Sequence, residues 1–541
     1  MGRGSPRSAT SRAAHVNSVS LNACSWDLQA LDLRGGRRAT ASKYKNAALQ
    51  ENPVVSEAPA PLADDFGPPD EALAQAKWLK LVEKTLKGAD FDETLTRPTP
   101  DGIAIRPLYT VADAVTVARD LRPRDIDRPW DLRTRVAHPD PRHAGAEILK
   151  DLENGAASVL LALDPAGQTG VAVGSREDLA RVLDGVLLDL APVALDAGFL
   201  GPKAADWLAS LAKAAPNAPL AFHMDPLTAW MQAGVSPGPI ESHVFSAATV
   251  GARLAETYAT ASLFLATGRA VHEAGGSNTE ELSVMAASAV AYAKALVRSG
   301  LSMEEAWSRI VLGVSLDGEY FTGVAKVRAV RALWDQLTRA CGVVAPARIE
   351  ARSSQRMLAR ADAWTNLLRL TAAGFAGAVG GADTVVLGNF TDAVGLPTAF
   401  ARRQARNTQL VLMEESHLGR VADPAGGAWY LDTLTDQLAR AAWGGFQAIE
   451  NDGGIVKALE SGLIADIVAE TREGQQAAFA DKSRKILGVT AFPNADDKTP
   501  ETLTPDPGAF AVDGPDPRLP GPDSRCPALV PIRFAAAFEG A

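Results

Sequence analysis

The sequence is poor in cysteine and contains no long apolar run. Its three cysteines, Cys24, Cys341 and Cys526, lie far apart in the 541 residues and form no CxxC pair. This spacing argues against both a disulfide framework and a structural zinc site. No segment approaches the about 18 consecutive apolar residues of a membrane-spanning helix. We therefore expect a protein of a reducing compartment, the cytoplasm, without a membrane span.

Positive charge is also in short supply, with 54 lysines and arginines against 64 aspartates and glutamates. Proteins that coat nucleic acid or anionic membranes need positive surface to neutralise phosphate, so neither partner is expected. Residues 1–45 are the exception, because they hold eight basic residues, two acidic ones and many Ser and Ala. This composition is typical of an organellar transit peptide, which would place the protein in an organellar matrix. A disordered tail or a start codon assigned too early are the alternatives.

Nucleotide and metal motifs are missing as well. The sequence has no GxxxxGK[ST] loop, no GxGxxG that opens a helix after a strand, and no HExxH. His138 and His143 come nearest to a metal pair, in a Pro-rich turn. No carboxylate or cysteine stands at ligand spacing beside them on a rigid element, so we interpret this turn as a polar surface loop.

Short apolar runs alternate with amphipathic stretches from about residue 126 to 450. Six runs are predicted to be buried strands, at residues 157–163, 193–195, 220–223, 262–266, 347–351 and 384–387. Helices are predicted at residues 279–298, 303–312, 324–340, 362–378 and 398–413, with capping boxes formed by Asn278 with Glu281 and by Ser302 with Glu305. This alternation predicts a parallel α/β fold. Its length favours a closed (β/α)₈ barrel, with two strands still unassigned, over an open doubly wound sheet.

The flanking segments divide the chain into four regions. We expect a disordered or targeting-like tail at residues 1–60 and an N-terminal extension or partner arm at residues 61–125. The arm contains a helix that starts at Asp70 and ends near Gly88, followed by an extended stretch up to Tyr109. Residues 126–490 are predicted to form the barrel with trailing helices, and residues 491–541 a Pro-rich linker.

Two polar clusters are candidates for chemistry. Residues 272–276, HEAGG, follow a predicted strand and precede a capped helix. In a barrel this position is the C-terminal mouth, where active sites form. Residues 414–427 contain the polar side chains of Glu414, Glu415, His417 and Arg420 after a long helix. Either cluster suits acid–base catalysis, but from chemistry alone an ion-paired loop that sets a turn is the favoured interpretation.

Several sequence runs resemble the methylmalonyl-CoA mutase family. They are RNTQL at 406–410, EES at 414–416, DPAGG at 423–427 with Tyr430, RPW at 128–130, EAG at 273–275, AKVRA at 325–329, LKGADF at 86–91 and PLY at 107–109. The resemblance covers about residues 70–495. It implies a (β/α)₈ barrel that threads an acyl-CoA, a C-terminal flavodoxin-like domain that holds adenosylcobalamin, and the radical interconversion of methylmalonyl-CoA and succinyl-CoA.

Three departures make the sequence similar to the small subunit of the heterodimeric members. None of the seven histidines lies in the D-x-H-x-x-G motif that binds cobalamin. Arg269 and Ala270 stand where active members carry Tyr-His, and Arg135 stands where they carry a tyrosine that helps to drive homolysis. The resemblance thus implies a chain with no catalytic, cofactor-binding or metal-binding residues of its own. Adenosylcobalamin would be held by a large catalytic partner, and acyl-CoA substrate would bind in the complex.

The C-terminal run PIRFAAAFE, at residues 531–539, resembles the segment that leads into the flavodoxin-like domain. We therefore expect that domain to be absent or truncated here. Two alternatives to the small-subunit hypothesis stay open. One is a subunit or degenerate paralogue of an ethylmalonyl- or isobutyryl-type acyl-CoA mutase, and the other is a scaffold without a mutase partner.

Overall fold

The computed structural model describes residues 71–118, 122 and 124–539, so the predicted tail at residues 1–60 lies outside the described residues. The chain divides into two compact units, Met1–Leu81 and Val82–Ala541. The predicted N-terminal helix is helix α1, Glu71–Leu86. After it come the short helix α2, Phe91–Leu95, and an antiparallel pair of two-residue strands, Arg97–Pro98 and Ala104–Ile105.

Eight parallel strands form a closed barrel in the second unit. In chain order, β1 to β8 are Asp131–Val136, Ser158–Ala162, Val193–Asp196, Ala221–Met224, Ser262–Thr267, Ile310–Leu316, Ile349–Ser353 and Thr384–Val386. Each strand pairs with the next, and β8 closes the barrel by pairing with β1. The strands are buried almost throughout because helices cover the outside and side chains fill the inside. The predicted (β/α)₈ barrel is confirmed.

The two strands that the sequence analysis did not assign are β1 and β6. The sequence of β1 is DLRTRV, which does not stand out as an apolar run because a buried arginine interrupts it. Arg133 is tolerated inside the barrel because its Nη1 donates to Glu350 Oε2 at 2.6 Å. Strand β6 falls partly within the predicted helix 303–312, which is wrong at its end. The helix stops at Ser308, and Ile310 begins the strand.

A shell of helices surrounds the barrel and connects its strands. These helices are α3 Pro141–Glu153, α4 Arg176–Val182, α5 Gly201–Leu211, α6 Pro226–Ala233, α7 Ile240–Ala255, α8 Arg269–Glu273, α9 Asn278–Arg298, α10 Met303–Ser308, α11 Tyr320–Ala340, α12 Asn366–Gly380 and α13 Ala399–Leu410. Three trailing helices follow: α14 Trp429–Asn451, α15 Ile455–Glu460 and α16 Leu463–Ala480. Within the described part of the chain, no helix combines the length and the apolarity needed to cross a membrane.

One capping box lies one residue before its predicted position. Ser277, rather than Asn278, caps α9, and the Glu280 carboxylate accepts a hydrogen bond from the Ser277 N–H. The displacement turns Glu281 towards the core, where its carboxylate accepts a hydrogen bond from Lys326 Nζ at 2.7 Å. The second predicted box, Ser302 with Glu305, is confirmed.

The Pro-rich segment after residue 491 runs along the barrel. Thr502–Leu503 pairs with Leu396–Pro397, in the stretch that follows β8. Further along, backbone N–H groups of this segment donate to carbonyl groups in the regions that follow other strands, namely Val512 to Pro165, Leu519 to Pro237, Leu529 to Met231 and Ile532 to Glu273. Where the sequence predicts a linker, the described residues therefore form an ordered strap beside the carboxyl ends of the strands.

Candidate functional site at the barrel mouth

A cavity of about 670 Å³ opens at the carboxyl ends of the barrel strands. Such cavities suit small ligands in size, and this end of a (β/α)₈ barrel is where active sites form. The lining mixes apolar side chains with charged ones, the latter including Arg135, Asp196, Asp225, Arg269 and Arg352. The structure thus brings Arg135 and Arg269, two of the positions that the resemblance singled out, to one cavity.

An ion network centred on Glu350 fills the barrel beside this cavity. Glu350 is fully buried, and its two carboxylate oxygens accept hydrogen bonds from Arg133 and Arg352, each at 2.6 Å. Arg352 also reaches Asp196, at 3.1 Å. Burial acts to raise the pKa of Glu350, but the two arginines hold it well below its usual range. The carboxylate therefore stays ionised and paired, which makes it unsuitable as a proton carrier.

Two titratable side chains at the end of strand β4, His223 and Asp225, have shifted pKa values. Burial lowers the pKa of His223 to about 3, so its imidazole is neutral at physiological pH, and its φ of +45° is uncommon for a non-glycine residue. Burial raises the pKa of Asp225 to about 6, against the opposing effect of hydrogen bonds from Tyr292 and Thr228. The Tyr292 hydroxyl donates to Asp225 Oδ1 at 2.5 Å, and Asp225 caps helix α6.

The sequence analysis did not single out Glu350, His223 or Asp225. The sequence nevertheless contains a feature that could have marked each of them. Glu350 is an acid inside a segment that is predicted to be a buried strand, which requires a buried cation as its partner. His223 and Asp225 lie in HMDP, where the Asp-Pro pair marks the start of a helix directly after a strand.

The HEAGG segment lies at the mouth, as predicted, but its acid performs a structural task. The Glu273 carboxylate accepts hydrogen bonds from the N–H groups of Gln355 and Arg356 and from the Ser354 hydroxyl. The Arg356 guanidinium in turn donates to the carbonyl oxygens of His272 and Gly276. These bonds tie the loop after β7 to the loop after β5. The Glu273 carboxylate is therefore occupied by hydrogen bonds from the loop after β7, which it holds in place.

The second polar cluster is the ion-paired loop that the sequence favours. Asp423 pairs with Arg328 of helix α11 at 2.9 Å, and Arg328 also pairs with Asp432 at 2.6 Å. Gly419 lies so close to Pro129 that the proline ring occupies the space a Cβ would need. The loop thus packs against the segment that leads into β1. Residues 414–416 of the loop, by contrast, are exposed.

Other runs that carry the resemblance also form buried contacts between layers. Trp130 Nε1 donates to Gln409 Oε1 at 3.1 Å, and Arg406 Nη1 donates to Asp151 Oδ1 at 2.5 Å. Lys326 is the buried partner of Glu281. The runs at 128–130, 325–329 and 406–410 therefore stabilise the fold by joining helices to the barrel.

His138 and His143 form a stacked pair instead of a metal site. Their ring centroids lie 3.9 Å apart, and burial lowers the pKa of His138 to about 4. His138 is buried, so the predicted surface location holds only for His143. Among the described residues, no cluster of three or more His, Cys, Asp and Glu side chains could hold a metal ion.

The comparisons with known proteins match this architecture. The family model described as Methylmalonyl-CoA mutase matches residues 99–513, which is most of the chain. The chain belongs to the methylmalonyl-CoA mutase family. A methylmalonyl-CoA mutase small subunit from Streptomyces virginiae is 39% identical over 79% of this chain and 73% of its own length. The small subunit from Propionibacterium freudenreichii subsp. shermanii is 32% identical over 83% of this chain and 74% of its own.

Relatives named simply methylmalonyl-CoA mutase are less similar. The one from Cereibacter sphaeroides is 28% identical over 77% of this chain and 64% of its own length. Members of this family are isomerases. The names of these relatives do not favour an ethylmalonyl- or isobutyryl-type mutase.

The histidines among the described residues do not fit adenosylcobalamin, the cofactor that the family implies, because none of them lies in a D-x-H-x-x-G motif. A histidine ligand must also be accessible to the bulky corrin ring, so a ring that is buried or already hydrogen-bonded is unsuited. His223 and His272 are buried beside Glu350 and Glu281, and His243 Nε2 lies 2.9 Å from the Pro237 carbonyl oxygen. His138 and His143 stack on each other, and His417 lacks the motif around it. His15 lies outside the described residues.

Arg269 and Ala270, which stand where the resemblance places Tyr-His, are unsuited to proton transfer. Burial lowers the pKa of Arg269 to about 10, and the nearby Arg352 charge acts in the same direction, but the guanidinium is still protonated at neutral pH. Ala270 is fully buried and has no titratable group. An acid or base that keeps one protonation state throughout cannot pass a proton to and from a substrate.

Proposed function

We propose that this chain is the small, non-catalytic subunit of a heterodimeric, adenosylcobalamin-dependent methylmalonyl-CoA mutase. A large partner subunit holds the cofactor and performs the isomerisation of methylmalonyl-CoA to succinyl-CoA. The observation that carries the proposal is the sequence at three positions: Arg269 and Ala270 stand where active members carry Tyr-His, and Arg135 stands where they carry a tyrosine that helps to drive homolysis. Arg135 and Arg269 both line the barrel mouth. The relatives named as small subunits support the same assignment.

On this proposal the isolated chain is inactive, because it has no catalytic, cofactor-binding or metal-binding residues of its own. Its role is to stabilise the partner. In this proposal residues 126–490 form the barrel region, and residues 61–125 form an arm that contacts the partner. A cytoplasmic location, expected from the isolated cysteines, belongs to the same proposal.

Two features support a partner-contacting arm. A closed barrel offers no free sheet edge for a strand-like segment to join. The segment also presents apolar side chains to solvent, since Leu108 is 38% exposed and Val111 is 50% exposed. An apolar arm that is buried against a partner contributes about 25 cal/mol per Å² to association before ordering costs.

Reconstitution tests the subunit role. We would express this chain with and without a methylmalonyl-CoA mutase large subunit of the same source and assay conversion of methylmalonyl-CoA with added adenosylcobalamin. We expect a stable complex that is active, and no conversion by this chain alone. If the large subunit neither co-purifies with the chain nor gains activity or stability from it, the proposal is wrong.

Deletion of residues 61–110 tests the arm separately. We expect the truncated chain to keep the circular dichroism of the full chain while the large subunit no longer co-purifies. Unfolding of the truncated chain would mean that the arm supports its own barrel, and survival of the complex would mean that the arm is not the contact.

A further inference from the structure

The strap beside the barrel mouth is fixed to the barrel up to residue 529. Its backbone N–H groups donate to carbonyl oxygens between residues 231 and 237, in the region that follows β4. The donors are Leu519, Cys526 and Leu529, at 2.9, 3.0 and 2.8 Å. The Leu529 side chain is 3% exposed and belongs to the main hydrophobic core.

The backbones also approach each other closely in this part. A Cβ at Gly238 would lie 2.5 Å from the Leu519 carbonyl oxygen, so a side chain there would displace the strap. Ser524 Oγ accepts a hydrogen bond from the N–H of Ile240, the first residue of α7, at 3.1 Å. Residues 519–529 therefore complete the fold around the helix that they touch.

Residues 530–539, which we call the lid segment, differ from the strap before them because they span open space. Val530 is 60% exposed, and Pro531 has no N–H to donate. A second cavity, of about 580 Å³, lies between the lid segment and the loops after β7 and β8. Pro531, Gln355 and Leu358 line both this cavity and the mouth cavity. The two cavities therefore adjoin at the lid segment.

The far end of the lid segment is held by a small apolar cluster that is separate from the main core. Phe534 and Ala535 are buried, and they pack with Ala359, Phe479 and Ile486. The ring centroids of Phe534 and Phe479 lie 5.0 Å apart. A short helix, Phe534–Phe538, carries these side chains, so the ring of Phe534 fixes the whole turn to the barrel.

Glu539 adds the polar contacts of this end. Its carboxylate accepts hydrogen bonds from the N–H groups of Arg360 and Ala361, in the loop after β7, and from Arg533 Nη1 at 2.8 Å. Phe534 and Glu539 together form what we call the latch, because both attach the lid segment to the region around one loop.

The loops under the lid segment are tied to each other without it. The Glu273 carboxylate accepts hydrogen bonds from the N–H groups of Gln355 and Arg356, which joins the loop after β5 to the loop after β7. The lid segment adds one backbone bond to each loop, from Ile532 to Glu273 at 2.8 Å and from Phe534 to Arg356 at 3.1 Å. It can therefore leave while the loops stay joined.

We propose that the lid segment opens and closes over the barrel mouth, with a hinge at Val530 and with Phe534 and Glu539 as its latch. Segments with few buried apolar contacts open at a lower free-energy cost than the core, while the rest of the protein stays folded. Hinges are commonly a few residues at the end of a fixed element, as Val530 is here. Opening exposes both cavities, so the lid segment controls their exchange with solvent.

Hydrogen exchange of the full chain, followed by mass spectrometry, tests the proposal. In F534A we expect exchange in residues 530–539 to become about tenfold faster or more, because loss of a buried phenylalanine ring shifts an opening equilibrium by at least that factor. Residues 519–529 and the barrel strands should keep their rates. The matched control is F538A, because Phe538 lies in the same short helix but is 38% exposed. F538A should exchange as the unaltered chain does.

A thiol placed in the second cavity measures access directly. Ala393 lines this cavity in the loop after β8, so A393C puts a thiol under the lid segment. The rate of its reaction with a thiol reagent is followed in the peptide that contains residue 393, which keeps the native cysteines apart. We expect F534A to raise this rate about tenfold or more, and F538A to leave it unchanged.

The proposal is overturned if F534A changes neither exchange in residues 530–539 nor the labelling of A393C. It is equally overturned if the barrel strands exchange faster to the same extent, because the lid segment would then not open by itself. Should F534A not fold, E539A decides on the same criteria, since it removes the polar half of the latch. Both measurements use this chain alone, so their failure leaves the subunit role intact.

Discussion

The charged clusters of the helical shell and the charged residues of the barrel mouth follow different rules. In the shell, Lys326 lies against Glu281, and Arg328 lies between Asp423 and Asp432. These side chains are nearly or fully buried, and each charge meets its opposite. In the mouth, Arg135 and Arg269 face a shared cavity, form no such close pair among the described residues and share nearby carboxylates.

The difference between shell and mouth shows that the residues that identify the family are not the residues that determine its chemistry. Runs that identify the family, such as residues 325–329, hold the layers together, so their sequence is tied to the fold. The mouth does not join the layers in this way, and Arg269, Ala270 and Arg135 stand where the resemblance places the Tyr-His pair and the tyrosine of active members. Resemblance in the shell therefore predicts the fold, and the mouth decides the function.

The largest expected effect comes from breaking a shell pair. K326M leaves the Glu281 carboxylate buried without its cation, and removal of one partner of a buried pair costs about 3–5 kcal/mol of unfolding free energy. The control K294M breaks the surface pair with Glu450 and should cost about 0–1 kcal/mol. Urea denaturation of both variants measures the difference.

A second variant sharpens this test. In E281Q/K326M both charges are removed, so much of the loss should be recovered. If the double variant is as unstable as K326M, or if K326M costs no more than K294M, the shell pairs do not hold the fold together.

A smaller effect is expected at the mouth, from Asp225. Its folded pKa of about 6 lies above the unfolded value of 3.8. The protonated carboxyl therefore contributes stability that is fully present below pH 4 and is lost as the pH rises through 6. The total is about 3 kcal/mol, at 1.36 kcal/mol per pKa unit.

The D225N variant checks that pH dependence. The asparagine stays neutral, so the stability of the unaltered chain relative to D225N should fall between pH 4 and pH 7. D452N, at an exposed position, controls for the loss of one charge. A stability difference between the unaltered chain and D225N that is independent of pH would contradict the raised pKa.

The smallest expected effect is on activity. R269Y/A270H introduces the two side chains that the resemblance assigns to active family members, yet it should give no detectable conversion of methylmalonyl-CoA by the isolated chain, because on the proposed function the cofactor is held by the partner. An assay with added adenosylcobalamin checks this. Turnover by the isolated double variant would contradict this expectation, because it would show that the barrel needs only a tyrosine and a histidine at these positions to be active.

Much of the fold could be predicted from the sequence, and the failures have physical causes. Six strands stood out because parallel strands that are buried on both faces are continuous apolar runs. Strand β1 did not, because Arg133 is paired inside the barrel with an acid 217 residues away. The helix predicted over 303–312 ran on into β6 because Ile310 and Val311 continue the three- and four-residue spacing of Ala306 and Trp307.

The site was predicted in part. Arg135, Arg269 and Ala270 were identified through the family resemblance, and the cavity contains both arginines. Glu350, His223 and Asp225 were not, since their environment depends on burial and on contacts between distant segments that no local pattern shows. Nor does any local pattern show that Glu273 is occupied by the loop after β7.

The central claim is that the cofactor belongs to the partner and not to this chain. Electron paramagnetic resonance of Co(II) cobalamin, recorded with the isolated chain and with the reconstituted complex, tests it most directly. We predict nitrogen splitting from a protein histidine in the complex alone. The same splitting in the isolated chain would contradict the account, because it would require a histidine ligand in a sequence that has no D-x-H-x-x-G motif.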